Sequence, residues 1–369
     1  MNSMEKYQKM QSLTPYADRS EMPVYPMMIT SFASVAGFTQ KEYFEDVDKW
    51  LEAADKTFSI IGHPTMMAVA CPADTVFNMY LPSKRPGYEL GDDDLYQFIE
   101  TPYFDDPDAE YAKILEMGWD NWFNMHTMAV QNPPMTDPQQ LMARYGLLAE
   151  NLKKSFGYCY SHDILPWFDN AFYPIYDSLS MFRSMEEFLF DFIDNPGPIM
   201  DIINKYSLPQ VQNVIQQTKQ NNGWHVCIFP MRCSATFISP DMFEEYVWPA
   251  LKLQIEELWK AEIYTHIHAD GNWLPMLEYF TELPKGCCHI ELDESTDIEK
   301  AYEILQGSQS IRGNVPSVYF AFKDPEDVAE YSEKLVKMGM NGGFMLSSSC
   351  EIPMNAKPEN IKAMMDVLN

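Results

Sequence analysis

Over its last hundred residues the chain alternates short apolar runs with stretches whose apolar positions recur every three or four residues, the order expected of strand–helix units. Cys288-His289-Ile290-Glu291-Leu292 predicts a strand over 288–292. Thr296, three residues before Glu299, predicts a capping box for a helix from 297 to about 305, closed by Gly307. A second strand is expected over 310–314, and Asp324-Pro325 sets an N-cap and a proline at the first position of a helix ending at Gly339. The third unit pairs a strand over 343–346 with a helix opening at Pro358, whose Ile361, Met364, Met365 and Leu368 share one face.

Upstream, Ser239-Pro240-Asp241 predicts the start of a helix with Phe243, Val247, Leu251, Ile255 and Leu258 in one stripe, bent at Pro249. A strand over 263–268 follows. Thr39 and Glu42 form a capping box ahead of a helix running to about residue 56. Residues 82–108 are rich in Pro, Gly and Asp without periodicity and read as a long surface loop. Residues 121–203 contain helical stretches such as 184–193, whose order the pattern does not fix. With no linker or fixed-period repeat, the pattern predicts an α/β fold. The expected architecture is a single-domain (β/α)8 TIM barrel over 21–369, with loop insertions and an N-terminal extension over 1–20.

Composition narrows the partners. The 369 residues are 46% hydrophobic, enough for a large core, and carry a formal charge of −28 from 54 acidic and 26 basic side chains. Such a chain repels phosphate backbones and anionic headgroups, so neither nucleic acid nor membrane is an expected partner. No segment approaches the roughly 18 uninterrupted apolar residues of a membrane span, and the first residues lack the apolar core of a signal peptide. A cytoplasmic location is the expectation. The seven cysteines are odd in number and form no CxxC, which predicts reduced thiols.

In a barrel of this kind chemistry sits on the loops after the C-terminal ends of strands. Period-two alternation puts Tyr264, His266 and His268 on one strand face, with Asp270 and then Asn272 just beyond. A histidine there is ordinarily a hydrogen-bonded core residue; two on one face followed by Asp-Gly favour chemistry. Ser347-Ser348-Ser349-Cys350-Glu351 places a thiol after the last strand, where an inert buried cysteine is the commoner case. Asn314 and Asp293 occupy matching points of the preceding units, where capping is the plain alternative. Arg232, in a chain with few arginines, reads either as an anion-binding group or as a surface ion pair.

The segments HADGN at 268–272, IRGNVP at 311–316, GGFMLSSSCEIP at 342–353 and AKPENIKAMMDV at 356–367 resemble the uroporphyrinogen decarboxylase superfamily. MRCSATFISPDMFEEYVWP at 231–249 and PVYPMMITSFASVAGFT at 23–39 share its shape. The porphyrin decarboxylases of that superfamily carry an N-terminal Arg-Gln-Ala-Gly-Arg motif that holds substrate carboxylates, and here Met27-Met28-Ile29-Thr30-Ser31-Phe32 has no arginine. The resemblance therefore implies the branch that moves methyl groups between corrinoid proteins and small acceptors through a His-x-Cys…Cys zinc site. On that pattern His268 matches the histidine, Cys350 the distant cysteine, and Asp270 stands in place of the middle cysteine. These three are the expected catalytic and zinc-binding residues, with Arg232, Tyr264, His266, Asn272 and Asn314 as expected substrate contacts. No Asp-x-His-x-x-Gly cobalamin motif occurs, so the corrinoid is expected on a partner protein, beside a small-molecule methyl donor or acceptor. A decarboxylase acting on another acid and a non-catalytic binding barrel are the alternatives; oligomeric state is left open.

Overall fold

The computed structural model describes residues 1–69, 82–99, 104, 106–131 and 133–369. The strands in chain order are β1 (Val24–Tyr25), β2 (Met66–Met67), β3 (Ser83–Lys84), β4 (Gln97–Phe98), β5 (Leu165–Pro166), β6 (Asn170–Phe172), β7 (His225–Ile228), β8 (Tyr264–Ala269), β9 (Cys288–Leu292), β10 (Ser310–Val315) and β11 (Phe344–Ser348). Among the described residues, seven of them form one parallel sheet in the order β1-β11-β10-β9-β8-β7-β6. β2 pairs with β5 in a second parallel ladder, and the Thr65 amide donates to the Val24 carbonyl beside β1 at 2.9 Å. β7 to β11 are buried along their whole length, the signature of parallel strands covered on both faces.

The C-terminal units form where the caps predict them, in helices Ile298–Leu305, Pro325–Gly339 and Pro358–Asp366. Asp297, not Thr296, caps the first of these helices, accepting from Lys300 N; Thr296 instead spends its hydroxyl on the loop after β8. The helix expected from Thr39 to about residue 56 is two, Gln40–Glu45 and Val47–Ile61, because Asp46 leaves helical geometry and caps the second through Asp48 N. Pro249 is accommodated by a π-helical turn, Phe243–Val247, ahead of the helix Trp248–Lys260, so the missing N–H falls in that helix's first turn. In the region read as a surface loop, β3 and β4 pair antiparallel; residues 100–103 and 105 of it lie outside the described residues. The unordered middle resolves into helices Trp119–Ala129, Pro138–Ser161, Ile175–Arg183, Met185–Asp194 and Pro196–Gln220.

The first twenty residues, an extension in sequence, pack against the N-terminal ends of the strands. Helix Ser3–Gln11 buries Tyr7 and Met10 completely, and the Tyr7 ring meets Trp224, Tyr264 and His289 at centroid separations of 5.1, 5.6 and 6.1 Å. The contact is close: at Gly342, φ +97°, a Cβ would stand 2.5 Å from the Thr14 carbonyl oxygen. That end of the sheet is closed. The other end carries the polar loops.

Candidate metal centre

Strand register assembles the centre. Cross-strand pairing sets His268 of β8 opposite Glu291 of β9, and Glu291 opposite Arg312 of β10, so three charged or ionisable residues form one row. Beyond the end of β8 the chain must turn at once, and Gly271 supplies a φ of +84° where a Cβ would strike the Ser234 and Thr236 hydroxyls at 2.5 and 2.7 Å. The turn is pinned from both sides: Gly271 N donates to Asp293, Thr296 Oγ1 donates to the Gly271 carbonyl, and Trp273 Nε1 donates to the Asp270 carbonyl. Asp270 is thereby fixed beside His268. After β11, Met27 N donates to Ser348 Oγ and Ile352 N to the Met27 carbonyl, which hold the loop bearing Cys350.

The donor atoms of His268, Asp270 and Cys350 lie within 4.8 Å of one another. His268 Nε2 is 3.4 Å from Asp270 Oδ2, and Cys350 Sγ is 3.8 Å from Asp270 Oδ1. The other ring nitrogen of His268 donates to Glu291 Oε2 at 2.7 Å. That oxygen also accepts from His266 Nε2 at 3.2 Å and from the Arg312 guanidinium. A histidine anchored by a carboxylate at one nitrogen, with the other facing a carboxylate and a thiol, is the arrangement of a metal ligand with its supporting shell. Imidazole, carboxylate and thiolate are all donors that zinc accepts, so the residues present fit that ion.

Electrostatics separates the two histidines of β8. Burial, reinforced by the Arg312 charge, pushes His266 down to about 3, so its imidazole is neutral. Burial also opposes charge on His268, but the Glu291 and Asp270 carboxylates outweigh it and hold that imidazole well above its ordinary value. Burial would raise Glu291 too; Arg312 and His268 overcome it and keep the carboxylate ionised. Burial raises the Cys350 thiol, with His268 pulling the other way.

His268, Asp270 and Cys350, the set that the family resemblance implies, thus lie together, and His266 sits one step inward on the same carboxylate. The other expected contacts make hydrogen bonds within the protein. Tyr264 lies at the opposite end of β8, its hydroxyl 2.8 Å from Ser310 Oγ. Asn272 Oδ1 accepts from Leu274 N. Asn314 donates to the Asp293 and Thr296 carbonyls and accepts from Tyr331. Arg232 binds helix Ile175–Arg183 through Asp177 and the Ser180 carbonyl. Two residues that sequence reasoning passed over, Glu291 and Arg312, complete the row. A charged residue at the interior of each of two neighbouring short strands was the available signal.

A parallel sheet whose helices follow its strands, with its polar residues gathered at their C-terminal ends, defines an α/β enzyme class in which loops carry the chemistry. Residues 178–369 match the uroporphyrinogen decarboxylase (URO-D) family, and the chain belongs to that family. The matched span contains β7 to β11 and every donor of the centre. A methylcobamide:CoM methyltransferase, MtbA of Methanosarcina acetivorans, is 23% identical over 169 residues, which are 46% of this chain and 47% of that protein. The match thus spans about half the length of that curated relative. A methyltransferase from Methanosarcina mazei superposes with a TM-score of 0.67 at 14% identity, covering 100% of this chain and 98% of the other, a likeness of fold.

Proposed function

We propose that the protein is a methyltransferase that moves a methyl group between a small substrate or acceptor and a corrinoid carried by a partner protein, with zinc held by His268, Asp270 and Cys350. The observation that carries this reading is the convergence of those three donors on one point, with Glu291 behind His268, in a URO-D family member similar to a methylcobamide:CoM methyltransferase. Bound there, zinc supplies Lewis acidity that lowers the pKa of a thiol or polarises an oxygen. The chain's own residues do the rest. Glu291 orients the imidazole, Asp270 and Cys350 bring opposite charge, and the edges of Trp167 and Phe229, with ring centroids 5.5 and 5.3 Å from that of His268, keep water off the ring.

The scaffold of this proposal is a (β/α)8 barrel, supported by the Thr65 to Val24 hydrogen bond between the two parallel ladders and by Trp167 N donating to the Met67 carbonyl beyond β2. Among the described residues no helix is long and apolar enough to cross a membrane. A reducing cytoplasm suits the free thiol of Cys350. Met27 and Met28 stand buried where porphyrin decarboxylases need arginines, so uroporphyrinogen is not the expected substrate.

The test is anaerobic spectroscopy of a corrinoid protein mixed with this chain and candidate methyl donors and acceptors. Conversion between the cobalt(I) and methyl-cobalt spectra that requires both proteins is the expected result. Full turnover of a methyl donor with no corrinoid present contradicts the reading.

A further inference from the structure

We infer that Arg312 is a positioning residue for His268, acting through Glu291, so that the geometry of the metal centre depends on a charge that touches none of its three donors. The inference rests on the metal-site reading above. Arg312 and Glu291 are opposed in register on β10 and β9, and their side chains are 0% and 2% exposed. Among the described residues Glu291 is the carboxylate that Arg312 meets; its guanidinium also meets the Met66 and Met27 sulfurs, at 3.9 and 4.0 Å, and the rings of Tyr25 and Trp167.

Glu291 Oε2 receives three N–H donors, from Arg312, His266 and His268. A carboxylate oxygen so loaded cannot rotate without breaking contacts to two other strands, and its position fixes the line along which His268 Nδ1 must point. Arg312 reaches the same imidazole by a second route. Its guanidinium carbon lies 4.3 Å from the Tyr25 ring centre and 5.6 Å from that of Trp167, and Trp167 in turn meets His268 at a 71° interplanar angle. One planar cation therefore holds both the carboxylate beneath His268 and the indole beside it. A lysine at 312 keeps the charge but loses the flat surface and the fork of N–H groups.

The full-length chain is loaded with cobalt(II), whose d–d and thiolate charge-transfer bands report the ligand geometry directly. For Arg312→Met we expect cobalt affinity, measured by chelator competition, to fall about 10- to 100-fold with a shift of the d–d bands. Arg312→Lys restores part of the affinity but not the wild-type spectrum. Since Arg312→Met leaves Glu291 buried without its counter-charge and can fail to fold, Arg312→Met/Glu291→Gln removes both charges, and a cooperative thermal melt checks its folding. The folded double variant is expected to show the same weakened affinity and shifted bands. Wild-type affinity and spectrum in the folded double variant overturn the route from Arg312 through Glu291 to His268. A wild-type chain that takes up no cobalt overturns the metal reading, and this inference with it.

Discussion

At the N-terminal ends of the strands, His225 Nδ1 lies 3.0 Å from Asp169 Oδ2, and its Nε2 lies 2.9 and 3.1 Å from the Trp167 and Pro166 carbonyls. At the C-terminal ends, His268 Nδ1 donates to Glu291, and its Nε2 faces the Asp270 carboxylate at 3.4 Å and the Cys350 thiol. Both histidines are buried, both have a carboxylate at 3.0 Å or less, and both sit among aromatic rings. The difference lies in the second nitrogen. Where backbone carbonyls take it, the histidine is a crosslink that secures the chain at Trp167; where a carboxylate and a thiol converge on it, the ring is available to a metal. The lower end adds a helix that seals it through Tyr7, whereas the upper end has the tightly pinned turn at Gly271.

The comparison predicts that damage at the two ends separates stability from chemistry. The largest effect belongs below. Tyr7→Ala empties a site bounded by Trp224, Tyr264 and His289 and should cost about 3–5 kcal/mol of unfolding free energy in denaturant titration, with the metal content of the folded fraction unchanged. Next comes His268→Ala, for which methyl transfer should drop by about 100-fold or more while the thermal midpoint stays near that of the wild type. An unfolded variant, or one with undiminished transfer, would blur the two ends.

The third effect depends on pH. The neighbouring carboxylates hold the His268 pKa up and burial holds the Cys350 pKa up, so in the metal-free protein both carry protons near neutrality, which a metal must displace. Metal affinity should therefore rise with pH, by about tenfold per unit for each proton released, when followed by chelator competition. An affinity that is flat or falls with rising pH rules this out. The smallest effect is Asn272→Ala, which removes the acceptor for Leu274 N and should cost about 1 kcal/mol with metal binding intact. A large loss of substrate affinity instead would support Asn272 as the substrate contact expected from its place in the chain.

The two halves of the chain also differed in how much could be read from sequence. From β8 onward the strands are short and bounded, helices Pro325–Gly339 and Pro358–Asp366 open on proline and Ile298–Leu305 follows an Asp cap, so these elements appear within a residue or two of their expected places. The short helix Ser317–Phe322 was missed because no cap marks it. In the middle, β5 and β6 are two and three residues long, and helix Pro196–Gln220 carries Pro209 inside it, so neither strand length nor helical continuity announced itself. Within the site, His268 and Asp270 stand two apart and Cys350 ends a strand, which local patterns reveal. Glu291 and Arg312 became legible only once cross-strand register set them in one row, and register is a property of the sheet rather than of either segment.

The central claim is a single metal held by one nitrogen, one oxygen and one sulfur donor. Elemental analysis combined with X-ray absorption at the zinc edge of the purified full-length chain tests it most directly. The account predicts about one zinc per chain, with one sulfur near 2.3 Å and the remaining donors at about 2.0–2.2 Å, all lost in His268→Ala. A wild-type protein that stays metal-free in zinc-supplemented buffer yet transfers methyl groups, or a zinc site with two sulfur donors, would contradict it.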